Sequence, residues 1–320
     1  MTKTILAADI GGTNSRFAHF ETNRQKPLTL ISTKWLPTAG VESFPQLLEQ
    51  LRKSDFTLQP AAADIAVIGA AGPVENDSYC NPPYIPWDID LKEDLGVNAF
   101  QQSILINDFV AQAYACRSPV GKSARRILDG TMLTRQTVGV LGAGTALGKA
   151  VLIPITGSDF LALPSEGGHA IFPFVSQREF SFQEFYREKS GLQHITGNLV
   201  VSGKGLHYLH WFLTGEKLTP KEVGAQFTTA SETLAWAAKF YGRICRDFAL
   251  EAITRGGLYI AGGVAAQNPE LLTHENFRTE FLSSPTMGEL LAKIPVFLIE
   301  NQDSGLWGSA FFGQQILQKI

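Results

Sequence analysis

Cysteine is scarce in this chain. Cys80, Cys116 and Cys245 are the three in 320 residues; they lie far apart and form no C-x-x-C pair. An odd, scattered set gives neither a disulfide framework nor a zinc site, so the thiols read as buried or idle. Basic charge is not in excess either. The formal net charge is −3, which argues against a nucleic-acid partner, because gripping a phosphate backbone needs a basic face. No apolar run approaches the ~20 residues of a membrane span. Met1-Thr2-Lys3 leads straight into a first strand, leaving no room for a signal peptide. The expectation is a cytoplasmic protein with no membrane partner. Low-complexity segments and long linkers are absent as well. The length exceeds a usual single core, so about two domains are expected.

Two familiar phosphate motifs are also missing. A Walker A loop needs G-x-x-x-x-G-K-[ST], and the nearest stretch, Ala143 to Ala150, lacks the leading glycine and the closing hydroxyl. The dinucleotide fingerprint G-x-G-x-x-G needs a helix behind it to hold the pyrophosphate. Here Gly142 and Gly144 stand one residue too far from Gly148, and Ala150-Val151-Leu152-Ile153-Pro154-Ile155 reads as a strand. A nicotinamide-dependent oxidoreductase, with Asp159 as its ribose acid, is therefore the weaker alternative.

What the chain does have is three short glycine turns, each closing an apolar run: Asp9-Ile10-Gly11-Gly12-Thr13-Asn14, Gly142-Ala143-Gly144-Thr145 and Ala261-Gly262-Gly263. Glycine lets backbone N–H groups approach a phosphate and supplies the conformations tight turns require. Strand-like residues come after the first two, so both read as β-hairpin tips. Two α/β units, each opening on such a hairpin, suggest a duplicated core with a nucleotide held between them. The pattern predicts helices over 41–53, 178–189, 206–213 and 231–253, and strands over 65–68, 103–106, 258–260 and 295–299. Two further helical stretches are expected between the last two strands. Ser304 is the expected N-cap of a closing helix to Ile320.

Together with Ile106-Asn107-Asp108-Phe109 and Leu163-Pro164-Ser165-Glu166-Gly167-Gly168-His169, these turns resemble the bacterial glucokinase family. That family lies within the sugar kinase, actin and Hsp70-like ATPase superfamily. The likeness runs over essentially the whole chain, and the Glu166-to-His169 element is its most specific part. It implies an α/β, two-domain actin-like ATPase (ribonuclease H-like) fold with an interdomain cleft. Residues 1–108 plus 302–320 would form a small domain and 109–301 a large one. The implied activity is transfer of the γ-phosphate of ATP to the 6-hydroxyl of glucose, with Mg2+; a kinase for another hexose is the alternative on the same fold. Relatives suggest a homodimer.

The site residues come from chemistry and resemblance together. Asp108 ends an apolar strand, where a carboxylate can take the proton of a sugar hydroxyl; its bland role is to cap the next helix. Asn107 offers an amide to a neighbouring hydroxyl. Glu166 and His169, sharing a flexible Gly-Gly loop, are expected on the sugar; metal ligation is the weaker alternative, for want of a second histidine at helical spacing. By resemblance Asp9 orders a magnesium-bound water, and Gly11, Gly12, Thr13 and Asn14 cradle phosphate. Gly144 and Thr145 hold the other side of the triphosphate, and Gly262 and Gly263 admit adenosine. Two departures stand out. Asn198 occupies the place of a glutamate sugar ligand, and the loop Asn81-Pro82-Pro83-Tyr84-Ile85-Pro86-Trp87 is longer than the family's. A regulator on the same core would need a helix-turn-helix or, in the repressor/kinase branch, a cysteine-rich zinc segment, and neither is present.

Overall fold

The computed structural model describes residues 2–23, 27–94 and 100–319. The chain gathers into two compact units, one of Met1–Ser123, Thr156–Ala162 and Asp303–Ile320, the other of Ala124–Ile155 and Leu163–Gln302.

In the first unit, Ile5, Leu6, Ala7 and Ala8 are buried on both faces, as a central strand must be. They belong to β1, Lys3–Ile10, which turns through Gly11-Gly12-Thr13 into antiparallel β2, Asn14–Thr22. This is the expected hairpin. A third strand, β3 (Thr29–Pro37), continues the meander. Helix α1 covers Phe44–Lys53 and buries Phe44, Leu47, Leu48 and Leu51. It starts three residues later than expected because the Ser43 hydroxyl accepts the Gln46 N–H and Pro45 suits the first turn. Strand β4 (Ile65–Ala70) lies parallel to β1. Three short strands, β5 (Val74–Glu75), β6 (Tyr79–Cys80) and β7 (Ile89–Asp90), form a small sheet of their own. Strand β8 (Ser103–Asn107) then pairs parallel to β4 and leads directly into α2, Asp108–Ala115. The sheet order is β3-β2-β1-β4-β8. In register, Ile10, Ala70 and Asn107 stand abreast, so the residues after each strand emerge on one edge. A short helix, α3 (Pro119–Lys122), comes next.

The C-terminal helix covers Ser304–Leu317. Ser304 is its first helical residue rather than its cap; Asp303 holds the cap position, and its side chain makes no capping bond there. The expected end at Ile320 lies outside the described residues.

The second unit repeats the plan. Its sheet holds β9 (Arg125–Leu128), β10 (Val138–Ala143), β11 (Leu147–Pro154) and β12 (Phe160–Ser165, whose first three residues count with the first unit), with β13 (Leu258–Ala261) and β14 (Val296–Leu298) later in the chain. The order is β12-β11-β10-β13-β14-β9. Strands β10 and β11 form the second hairpin, and β10, β13 and β14 run parallel. Between β12 and β13 come α4 (Gln177–Ser190), α5 (Gly197–Val200), α6 (Gly203–Thr214), α7 (Pro220–Ala225) and α8 (Glu232–Ala252). Four short helices come after β13 where two were expected: α9 (Gly263–Gln267), α10 (Glu270–Thr273), α11 (Glu275–Leu282) and α12 (Gly288–Leu291). Pro269 and His274 cap and separate them.

One buried ion pair ties this unit together. Arg243 of α8, with no exposed surface, donates to the Glu179 carboxylate of α4, to Glu280 and to the Pro173 carbonyl. Burial alone would raise the Glu179 carboxyl. Hydrogen bonds from Arg243, Lys239 and the Val175 N–H outweigh it and hold the group at about 2. A depressed carboxyl contributes stability above its ordinary value of 4.5 and loses it as pH falls toward about 2. Denaturant titration at pH 6 and pH 3 should show this acid loss, and Glu179→Gln should remove about 2 kcal/mol of it. Equal acid losses in both proteins would contradict the assignment.

Candidate active site

At the edge where β1, β4 and β8 end, the first unit presents two expected motifs side by side. Asp9, the penultimate residue of β1, lies opposite Arg16. Burial pushes its carboxyl up, Arg16 pulls it down, and Asp303 raises it again. Gly11, Gly12 and Thr13 form the turn, which is pinned where Thr38 N–H donates to the Thr13 carbonyl at 3.0 Å; Asn14 opens β2. Gly12 has a steric reason to be glycine. A Cβ there would stand 2.9 Å from the Tyr84 carbonyl oxygen and 3.0 Å from the Tyr84 Cβ.

Two strands away, the helix cap is Asn107, not Asp108. The Asn107 Oδ1 accepts the Phe109 and Val110 N–H groups, and its Nδ2 donates to the Gly72 carbonyl at 3.0 Å. Its amide is therefore largely committed to the backbone. Asp108 is the first residue of α2 and accepts the Phe109 N–H at 2.9 Å. Burial raises the neighbouring Cys80 thiol, and the Asp108 charge adds to it, to about 11.

The second unit gathers the remaining residues around its hairpin. Gly144 donates to the Ala146 carbonyl, and its own carbonyl accepts from Gly203 N–H at the start of α6. A Cβ on Gly144 would meet nothing within 4 Å, and Thr145 is exposed, so this tip is open to a ligand. Gly142 pairs in register with Ala261, which brings Gly262 and Gly263 to the same edge. Gly262 has φ +88° and presses on the Ala143 carbonyl, while Gly263 is the first residue of α9. A strand runs on from Gly148 instead of a helix, and Asp159 pairs with Lys319. The dinucleotide reading lacks the helix it needs.

Glu166 precedes and His169 ends a turn of 3-10 helix, Gly167–His169, not a loose loop. Both side chains are largely exposed, with His169 Nε2 3.7 Å from Glu166 Oε2. The turn is fixed because Gly168 lies against β11: a Cβ on it would stand 2.0 Å from the Leu147 carbonyl oxygen. The N–H of the same Leu147 donates to Asn198 Oδ1. Asn198 thus ties its carbonyl oxygen to the hairpin. Lys149, 4% exposed, lies over the Phe248 ring, and its Nζ would be 3.7 Å from a Cβ on Gly167. This buried cation is absent from the residues expected on sequence grounds; its signal is a lone lysine inside an apolar strand.

A family profile described as Glucokinase matches residues 6–316. The chain belongs to the glucokinase family. A curated Nostoc punctiforme glucokinase is 29% identical over 340 residues, covering 96% of this chain and 97% of that one. Among solved structures, a glucokinase from an Antarctic psychrotroph superposes with TM-score 0.83 at 24% identity, over 98% of this chain and 99% of that chain. A ROK family glucokinase from Streptomyces griseus, in complex with glucose and AMPPNP, matches at TM-score 0.63 and 18% identity, over 98% and 99%. The fold is the actin-like ATPase fold of the sugar kinases, and with its family the chain is a kinase.

Among the described residues no group of three His, Cys, Asp or Glu side chains could hold a metal by itself. The Asp9 carboxylate, acceptor-only when ionised, is of the oxygen-donor type that a hard cation keeping most of its waters uses. In this glucokinase-family protein the Leu147 contact is directly testable. Asn198→Ala should speed hydrogen exchange at the Leu147 amide about tenfold, and Asn198→Asp, which keeps the acceptor, should not. Unchanged protection in Asn198→Ala would refute the contact.

Proposed function

We propose that this protein is an ATP-dependent glucokinase that uses Asp108 as its general base. The observation that carries the reading is the alignment of the Asp9–Asn14 turn with Asn107 and Asp108 at the ends of parallel strands. Phosphoryl transfer asks the protein for positioning and charge stabilisation more than for covalent chemistry. Asp108 takes the proton of the sugar 6-hydroxyl, that oxygen attacks the γ-phosphorus, and the bond to the leaving ADP oxygen breaks. Asn107 caps α2 and so fixes the carboxylate beside it. The Gly11–Asn14 and Gly144–Thr145 tips cradle phosphate, and Gly262 and Gly263 leave room for adenosine. Glu166 and His169 bind sugar hydroxyls. Mg2+ would be held by Asp9 through water and would neutralise charge on the phosphate oxygens. The three buried free thiols support a cytoplasmic setting, and a homodimer goes with the family reading.

Asn198 bears on which hexose is used. With one lone pair of its carbonyl oxygen on Leu147, the amide keeps one acceptor site and its N–H donors for a sugar hydroxyl. A carboxylate at this place would hold Leu147 as well, but would bring only acceptors, and charged ones, to that hydroxyl. Glucose is the first choice, and mannose and 2-deoxyglucose are the comparisons that test it.

A coupled ADP-release assay across these sugars tests the activity. Asp108→Ala should lower kcat by about 10²–10⁴-fold with sugar binding retained by calorimetry. Near-normal turnover would leave Asp108 a helix-start residue only. Glu166→Ala and His169→Ala should each raise the sugar KM without changing metal content. Stoichiometric zinc lost in His169→Ala would reassign the pair.

A further inference from the structure

The seven-residue loop Asn81 to Trp87 is the sequence feature that the proposed chemistry leaves unused. Neighbouring strands lie about 4.8 Å apart. The Gly11-Gly12 turn after β1 and Asp108 after β8 therefore start about 10 Å from one another, with the end of β4 between them. The loop touches the Gly12 turn at one point and Gly72, just beyond β4, at another. Its Pro83 Cδ lies 3.3 Å from where a Cβ on Gly72 would be, and Gly72 is the residue whose carbonyl holds Asn107. Its next residue, Tyr84, lies against Gly12. Cys80 Sγ, donating to the Ala71 carbonyl, anchors one end of the loop; Trp87 Nε1, donating to the Val41 carbonyl at 2.8 Å, anchors the other.

Inside this tethered loop Pro82, Ile85 and Trp87 are buried, yet Tyr84 is 57% exposed. Three prolines in seven residues restrict the backbone before any ligand arrives. A tyrosine held in this way offers a rigid amphipathic face at little entropic cost. Ligand sites combine such apolar faces with a few placed polar groups. The loop carries no lysine or arginine to meet a phosphate, so its chemistry suits the acceptor rather than the nucleotide.

We propose that Tyr84 is a specificity-determining residue whose ring forms one wall for the sugar acceptor, between the Gly12 turn and Asp108. The inference rests on the hexose-kinase reading above. The test uses the full chain, with Tyr84→Ala and Tyr84→Phe assayed by ADP release on glucose, mannose and 2-deoxyglucose, and with thermal melts of each protein. Tyr84→Ala should raise the glucose KM about 5–20-fold and change the ranking of the three sugars. The KM for ATP should stay within about twofold, and Tm should be unchanged. Tyr84→Phe, which keeps the ring, should behave as wild type. Unchanged sugar constants in Tyr84→Ala, a rise confined to the ATP constant, or failure of phenylalanine to rescue would each overturn the proposal. A wild type that turns over no sugar would overturn the hexose-kinase reading and this inference together.

Discussion

The Leu147 peptide is the pin on which the second unit's hairpin tip and the turns beside it depend. Its N–H is held by Asn198 and its carbonyl is covered by Gly168. One residue of β11 therefore fixes the spacing of three segments far apart in sequence: the Gly144-Thr145 tip just before it, the Glu166–His169 turn and the start of α5. Peptide groups buried without partners are costly, so these contacts are obligatory rather than incidental. The Gly203 N–H to the Gly144 carbonyl extends the constraint to α6. Behind this cluster, Arg243 ties Glu179 and the Pro173 carbonyl to α8. The chain just beyond the His169 turn is thereby anchored to the longest helix of the unit.

The first unit reaches a comparable result by sheet register. Parallel strands expose their carboxyl ends on one edge, and ligands of α/β sheets gather there. With Ile10, Ala70 and Asn107 abreast, the Gly11-Gly12 turn, the Gly72 bend and the Asp108 carboxylate come within a few strand widths of one another. Asn107 connects two of them through the backbone: it caps α2 and donates to Gly72. The direction of the Asp108 side chain depends on this cap, because Asp108 is the first residue of the turn that Asn107 fixes.

Much of the architecture is legible in the chain. The runs before Gly11 and Gly144 alternate or bury as strands do, and the residues after each turn are β-rich. Both hairpins, and the absence of a helix after Gly148, could therefore be read directly. Helix starts were less legible. Val41 looks helical by periodicity, but Ser43 and Pro45 decide the boundary three residues on. Asp108 looks like a cap by its position after a strand, yet Asn107, one residue earlier, has the geometry to reach two N–H groups. Cap selection depends on backbone angles that a residue type only biases.

The sequence by itself determined the repeated strand–turn–strand units, the carboxylates at strand ends and the motifs that mark a sugar kinase family. Each of these is written in local spacing and side-chain chemistry. Only the tertiary structure decided what Gly12, Gly168 and Asn198 do. Gly12 makes way for Tyr84, 72 residues further on, Gly168 makes way for Leu147, and Asn198 holds the Leu147 N–H. The reason is physical. A side chain's hydrogen-bond partner, or the atom a missing Cβ would strike, belongs to another segment of the chain, and only folding brings that segment near.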